Sequence, residues 1–372
     1  MDKMRLNPGK RRHKTNTKIE SVCTGKEGPV WSVGEPHGSR VESVKVALRI
    51  RPLVKTEIDV GCRLPKEPQV SIGKNNLSYT FNYVFDENEG QGKVYNLAVK
   101  NLIENLFKGY NLTILAYGQT GSGKTYTMGT NYNGEGELGV IPRAVYDIFD
   151  IIESRKEDTT FGVTVSFLEL YNESLYDLLT DKPREQSIVD IREMNNGICI
   201  PGLTELQVQN VDNALAILKE GSSGRVVGAT AMNAASSRSH AVFTINIKIM
   251  NKTNPKDVIA SKFHLVDLAG SESSKKTGAT GDRFKEGINI NKGLMVLGNV
   301  ISQLRDGQHS FINYQHHNCL LFEVFRLSTT FLLSSLRQIP DNPNNMTDRL
   351  IYIFRPLKIA LCLNSLHDIQ LY

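Results

Sequence analysis

The stretch AYGQTGSGKTYTM, residues 116–128, places Gly118, Gly123, Lys124 and Thr125 in the pattern G-x-x-x-x-G-K-[ST]. In that pattern backbone amides cradle phosphates, the lysine neutralises their charge and the hydroxyl holds Mg²⁺. Kinases, pumps, switches and motors all carry such a loop, so other residues must decide among them. A nucleoside triphosphatase also needs an acidic group near the metal and a sensor of the γ-phosphate. FHLVDLAG, residues 263–270, offers both: Asp267 ends an apolar run, and Gly270 can bring its backbone amide close to a phosphate. NAASSRSH, residues 233–240, adds serine hydroxyls that can position a water or join a metal shell. Its Arg238 can pair with a carboxylate when the loop closes.

These loops need a frame that holds them together. Apolar, strand-like runs begin with VKVALRI at Val44 and recur as LTILAY at 112, VTVSFLELY at 163 and FHLVDLAG at 263, separated by helical stretches. That alternation predicts a layered α/β fold with helices on both faces of a sheet. The phosphate loop then follows a strand at its carboxyl end, where such folds bind ligands. With 372 residues, 40% of them hydrophobic, the chain can bury a sizeable core.

The net charge of +5 arises from residues 1–40, which hold nine Lys or Arg against four Asp or Glu. The remainder is neutral, so overall basicity says nothing about the partners of the folded body. Residues 1–40 are polar, basic and rich in turn formers, and read as a disordered leader whose KRRHK cluster is a solvated tail ahead of the alternatives, an acidic-surface contact or a nuclear address. The five cysteines, Cys23, Cys62, Cys199, Cys319 and Cys362, lie far apart and suggest neither a zinc site nor a disulfide framework. No run reaches about 18 apolar residues and the start lacks a signal-peptide pattern, which argues against secretion and against a membrane partner.

GQTGSGKTYTMG, NAASSRSH, LVDLAGSE and GININKGLMVLGNVISQL, in this order and at these separations, resemble the kinesin motor domain. The similarity runs from about Val44 to Leu304. YVFDENEGQGKVYN, GYNLTILAYGQTGSGKTY and GVIPRAV are most similar to the chromosome-associated, kinesin-4 branch. The resemblance implies a P-loop NTPase fold, a central, mostly parallel-containing mixed sheet with helices on both faces, spanning residues 44–314. It implies Mg-ATP hydrolysis coupled to binding of, and movement along, microtubules, with ATP and Mg²⁺ as cofactors and tubulin as partner.

Position by position, Arg49, Arg51, Pro52 and Tyr126 would frame the adenine. Gln119, Thr120, Gly121, Ser122, Gly123, Lys124 and Thr125 would wrap the phosphates at a helix N-terminus. Ser237 would reach the γ-phosphate and metal, Ser236 would place the attacking water, and Arg238 would pair with Glu272. Thr125, Ser237 and Asp267 would hold Mg²⁺, the last through water. Lys275, Lys276, Lys285 and Lys292 would face the acidic microtubule surface, with Lys285 and Lys292 flanking the start of a helix. PREQSIVDIREMNNG, with Arg184 and Arg192, is similar to a secondary microtubule-contact loop. The resemblance also implies a cytoskeletal place, at the spindle or in the nucleus, with contact to nucleic acid or chromatin by family analogy alone.

After SFINY at 310 the resemblance stops, and residues 315–372 form an atypical segment. Ten charged residues in the last 67 set it apart in composition, as an alternative or mispredicted exon would. The family's remaining core strand, neck linker and dimerising coil are not recognisable there. That leaves a non-motile, nucleotide-dependent microtubule-binding module, or an inactive truncated isoform, as the alternative to a motor. LKIALCLNS, residues 357–365, is the candidate for the lost strand, and CLLFEVFRLSTTFLLSSL reads as a helix whose Glu323 and Arg326 argue against a membrane span. His316, His317 and Cys319 lack the further ligands a metal site needs.

Overall fold

The computed structural model describes residues 18–20, 45–52, 68–72, 77–194, 197–230, 237–254, 256–272, 281–306 and 328–336. Ser236, Lys275, Lys276, His316, His317, Cys319, the KRRHK cluster and residues 357–365 lie outside the described residues.

The first strands are β1 (Lys18–Glu20), β2 (Lys45–Ile50), β3 (Gln69–Ile72), β4 (Leu77–Thr80) and β5 (Tyr83–Phe85). Then come β6 (Asn111–Tyr117), β7 (Thr159–Tyr171), β8 (Ser174–Asp177), β9 (Ile188–Val189), β10 (Arg192–Met194) and β11 (Gly197–Cys199). Last are β12 (Thr204–Gln207), β13 (His240–Asn251), β14 (Val258–Asp267) and β15 (Ser328–Leu336). The α-helices are α1 (Gln91–Ala98), α2 (Lys100–Leu106), α3 (Lys124–Met128), α4 (Val140–Arg155), α5 (Val211–Thr230) and α6 (Asp282–Asp306).

The main sheet runs β1-β12-β7-β13-β14-β6-β15-β2-β5, with β8 and β9 continuing from β7. Its β1-to-β14 half is antiparallel, and the junctions β14–β6, β6–β15, β15–β2 and β2–β5 are parallel. The sheet is mixed, as expected, and its parallel half carries the phosphate loop. β6 is an almost unbroken apolar run because both of its faces are buried. On α4 the buried positions Val140, Ile141, Ala144, Val145 and Ile148 fall on one side, the spacing of a helix packed on a core.

One feature of α5 determines how the site is built. A Cβ on Gly221 would lie 2.3 Å from Cδ1 of Phe167, so only glycine lets this helix press onto β7. Phe167 is itself locked edge-on against its cross-strand partner Phe243, with centroids 5.4 Å apart. One turn beyond Gly221 stands Arg225, and two residues beyond Phe167 stands Glu169 on the same face of the sheet.

Two expectations about the C-terminal segment are corrected here. Residues 328–336, read from sequence as part of a helix, form β15. This strand lies between β6 and β2, parallel to both, in the central slot proposed for residues 357–365. A short apolar run does not distinguish a buried strand from a helix by periodicity; two open parallel edges decide it by supplying hydrogen-bond partners. Within the basic leader, Lys18–Glu20 pairs with β12 at the edge of the sheet.

Candidate functional site

The loop between β6 and α3 turns sharply at three glycines, Gly118, Gly121 and Gly123, whose φ angles of 147°, 75° and 96° favour residues without a Cβ. Lys124 follows at the start of α3, only 6% exposed, with Nζ donating to the Gln119 carbonyl at 3.0 Å. Burial pushes its pKa down, while Asp267 and Glu272 pull it back up. The Thr125 hydroxyl donates to Asp267 Oδ2 at 2.8 Å, and Thr130 donates to the same oxygen at 3.1 Å.

Asp267 ends β14, fully buried, and its register partner on β6 is Ala116, just ahead of the phosphate loop. The backbone beyond it stays alongside that loop: Leu268 N donates to Ala116 O at 3.2 Å and Ser271 N to Gly118 O at 3.1 Å. The Gly270 amide, expected to face a phosphate, donates instead to the Ser237 carbonyl at 2.8 Å, which ties the segment after β14 to the one before β13. A Cβ at Gly270 would lie 2.3 Å from Thr120 Oγ1 and 2.4 Å from Glu272 Oε2. Glu272 accepts from the Thr120 amide at 2.8 Å and from the Thr120 hydroxyl, across the mouth of the loop. Ser237 and Arg238 lie half-buried beside this group.

Of the four residues assigned to the adenine, Arg49 is buried and committed. It donates to Gln91 Oε1 at 2.6 Å and Thr127 Oγ1 at 3.0 Å, and its guanidinium lies 5.3 Å from the centre of the Tyr126 ring. Arg51 donates to Gly121 O and Pro52 O, both at 2.7 Å, so it braces the loop from outside. Tyr126 remains half exposed, its hydroxyl donating to Glu137. Gln91, absent from the sequence assignment, holds this corner by donating to the Tyr126 carbonyl at 2.6 Å.

Sequence reasoning also missed Arg225. It donates to Asp267 Oδ2 at 2.9 Å and to Ser239 O at 3.0 Å. No local motif marks it; only the packing of α5 on β7 brings it to the site.

Among the described residues, the buried oxygens Ser122 Oγ and Asp267 Oδ1 take part in no hydrogen bond. An open carboxylate oxygen beside a threonine hydroxyl, under a glycine-rich loop with a buried lysine, fits a magnesium nucleotide.

Lys285 and Lys292 both lie within α6, which begins at Asp282, ahead of the expected start. Both are exposed, and their seven-residue spacing puts them on one stripe. The buried residues Leu294 and Leu297 lie on the same helix. Arg192 is exposed, whereas Arg184 reaches inward to Glu169 at 2.8 Å. Among the described residues, no helix is long and apolar enough to cross a membrane.

The sequence model of the family described as the kinesin motor domain matches residues 49–328. Chromosome-associated kinesin KIF4 of Mus musculus is 50% identical over 283 residues, covering 73% of this chain and 23% of the mouse protein. Its Xenopus laevis namesake is 52% identical over 273 residues, covering 71% of this chain and 22% of that one. The chain thus spans about a quarter of the length of these curated relatives. The solved structure of a fast kinesin superposes with a TM-score of 0.75 at 32% identity, covering 87% of this chain and 92% of that one. A KIF14 dimer with two heads bound, with AMP-PNP and in complex with a microtubule, gives 0.73 at 30% identity, covering 86% and 93%. Sequence and architecture agree, and the chain belongs to the kinesin motor-domain family, on its chromosome-associated, kinesin-4 branch.

Proposed function

We propose that this chain is an ATP-driven microtubule motor domain, hydrolysing Mg-ATP and coupling that hydrolysis to microtubule binding and movement. The observation that carries the reading is the meeting of Thr125 Oγ1 with Asp267 at 2.8 Å, beside the open oxygen Asp267 Oδ1. The phosphates would lie over residues 119–125, with Lys124 as counter-charge. The adenine would rest against the exposed side of Tyr126, near Arg51 and Pro52. Thr125, Ser237 and, through water, Asp267 would hold Mg²⁺, which when bound neutralises charge on the transferring phosphoryl group.

The chain's own contribution is positioning. Ser236 places the attacking water, and Ser237 orients the γ-phosphate. The Gly270 amide exchanges the Ser237 carbonyl for a phosphate oxygen, and Glu272 leaves Thr120 to pair with Arg238 as the loops close. Such an exchange of partners turns the presence of a γ-phosphate into movement of a segment. α6 begins ten residues past Glu272, and its Lys285 and Lys292 meet the acidic track in a salt-dependent way. The names of the curated relatives suggest a cytoskeletal place close to chromosomes.

The test is the ATPase rate of residues 1–372 with and without microtubules, beside Lys124→Ala. Strong stimulation that the variant loses is the expected result. A folded, nucleotide-binding protein that microtubules do not stimulate would overturn the coupling.

A further inference from the structure

Tyr176 on β8, Glu169 on β7, Ala241 on β13 and Asp267 on β14 are successive register partners, so they form one row on one face of the sheet. The small Ala241 leaves the space between the two carboxylates to Arg225, which lies 2.9 Å from Asp267 and 3.9 Å from Glu169. Glu169 is fully buried, and among the described residues its oxygens are held by ion pairs rather than by well-aligned hydrogen bonds. Among the described residues its ion pairs are with Arg225 and with Arg184, whose NH2 stands at 2.8 Å. Arg184 comes from the turn Arg184–Gln186 between β8 and β9, partly exposed, with its guanidinium 4.1 Å from the centre of the Tyr176 ring. A continuous line of alternating charge therefore runs from a surface turn to the strand-end aspartate: Arg184, Glu169, Arg225, Asp267.

We propose that Arg184 and Glu169 are positioning residues for Asp267, acting through Arg225, and that the 184–186 turn thereby sets how firmly the site holds Mg²⁺. The inference rests on the magnesium-nucleotide reading above. Arg225 is shared between two buried carboxylates, and its charge competes with a cation for Asp267. A buried charge cannot be left without a partner at low cost. Without Arg184, Glu169 draws Arg225 toward itself and away from Asp267, which frees the aspartate for the metal. Without the charge on Glu169, Arg225 is given wholly to Asp267 and the metal is held less firmly. The two substitutions therefore act in opposite directions, which a general loosening of the fold would not produce.

The test uses the full 372-residue chain loaded with mant-ADP, with free Mg²⁺ titrated against EDTA and nucleotide retention read by fluorescence; thermal melts check folding. Arg184→Ala is expected to lower the half-retention Mg²⁺ concentration by about threefold or more, and Glu169→Gln to raise it by a similar factor. Arg184→Lys is expected to stay close to wild type. Half-points that do not move, or that move the same way in both variants, would overturn the proposal. If Glu169→Gln does not fold, Arg184→Ala with its lysine rescue decides the matter alone. Wild-type protein whose mant-ADP retention ignores Mg²⁺ would instead overturn the site assignment, and the coupling with it.

Discussion

The two halves of the main sheet are assembled in different ways, and β14 is the seam between them. On one side β13 pairs antiparallel with β7 from Thr159 to Leu170 and with β14 from Val258 to Asp267. On the other, β6, β15 and β2 come from residues 111–117, 328–336 and 45–50 and pair in parallel. The two long antiparallel ladders join strands that all lie within residues 159–267, the middle of the chain. The parallel half depends on segments from both ends of the chain, and every parallel pairing needs a long crossover. The loops that carry the chemistry leave the carboxyl ends of β6 and β14, so the half assembled from distant segments also holds the phosphate loop. Asp267 stands at the seam, its backbone paired with β6 and its side chain tied through Arg225 to Glu169 in the antiparallel half.

The sharpest way to break this comparison is to remove β15. Deleting residues 328–336 leaves β6 and β2 without their shared neighbour, and loss of the cooperative thermal transition is expected. Leu332→Pro, in the middle of that strand, should cost about 3 kcal/mol or more. A truncated chain that still melts cooperatively and binds nucleotide would show that the parallel half does not need the strand.

A pair of hydroxyls separates catalysis from stability across the seam. Thr125→Ala should lower kcat by about two orders of magnitude while costing about 1 kcal/mol of stability. Thr244→Val, which removes the contact with His264 Nδ1 in the antiparallel half, should cost a similar stability and leave kcat unchanged. Equal loss of activity in both would erase the distinction.

Gly221→Ala tests the packing that delivers Arg225. The added methyl meets Phe167, and a destabilisation of about 1–3 kcal/mol in denaturant unfolding is expected. Retained stability with unchanged nucleotide affinity would show that α5 can shift without consequence.

The smallest effect is on pH dependence. Burial holds His264 down to about 3 and His240 down to about 4. In the unfolded chain both return to about 6.5 and take up protons the folded state refuses. Their stabilising contribution is present above about pH 6.5 and declines as pH falls toward the folded values, by about 1.4 kcal/mol per unit for each histidine. His264→Gln should make the loss of thermal stability on acidification shallower than in wild type. An unchanged slope would assign the acid sensitivity elsewhere.

The phosphate loop, Asp267 and the Ser237–Arg238 segment could be found in the sequence because their chemistry needs particular residue types at fixed local spacing. The strands β2, β6, β7 and β14 were readable as apolar runs. β13, HAVFTINIKIMN, was not singled out beside them, although its ladders with β7 and β14 organise the antiparallel half. The STTFLLSSL run was visibly apolar, yet its own pattern could not say whether it would be helix or strand.

By itself, then, the sequence determined the layered α/β class, the phosphate loop and the strand-end aspartate, since each is written in contiguous residues. Only the tertiary structure decided that residues 328–336 fill the central slot, because an apolar run takes the conformation whose hydrogen-bond partners are waiting. It also decided that Arg225 and Glu169, 56 positions apart in sequence, pair beside Asp267. Strand register and the close approach of α5 at Gly221 bring those charges together, and neither can be read along the chain.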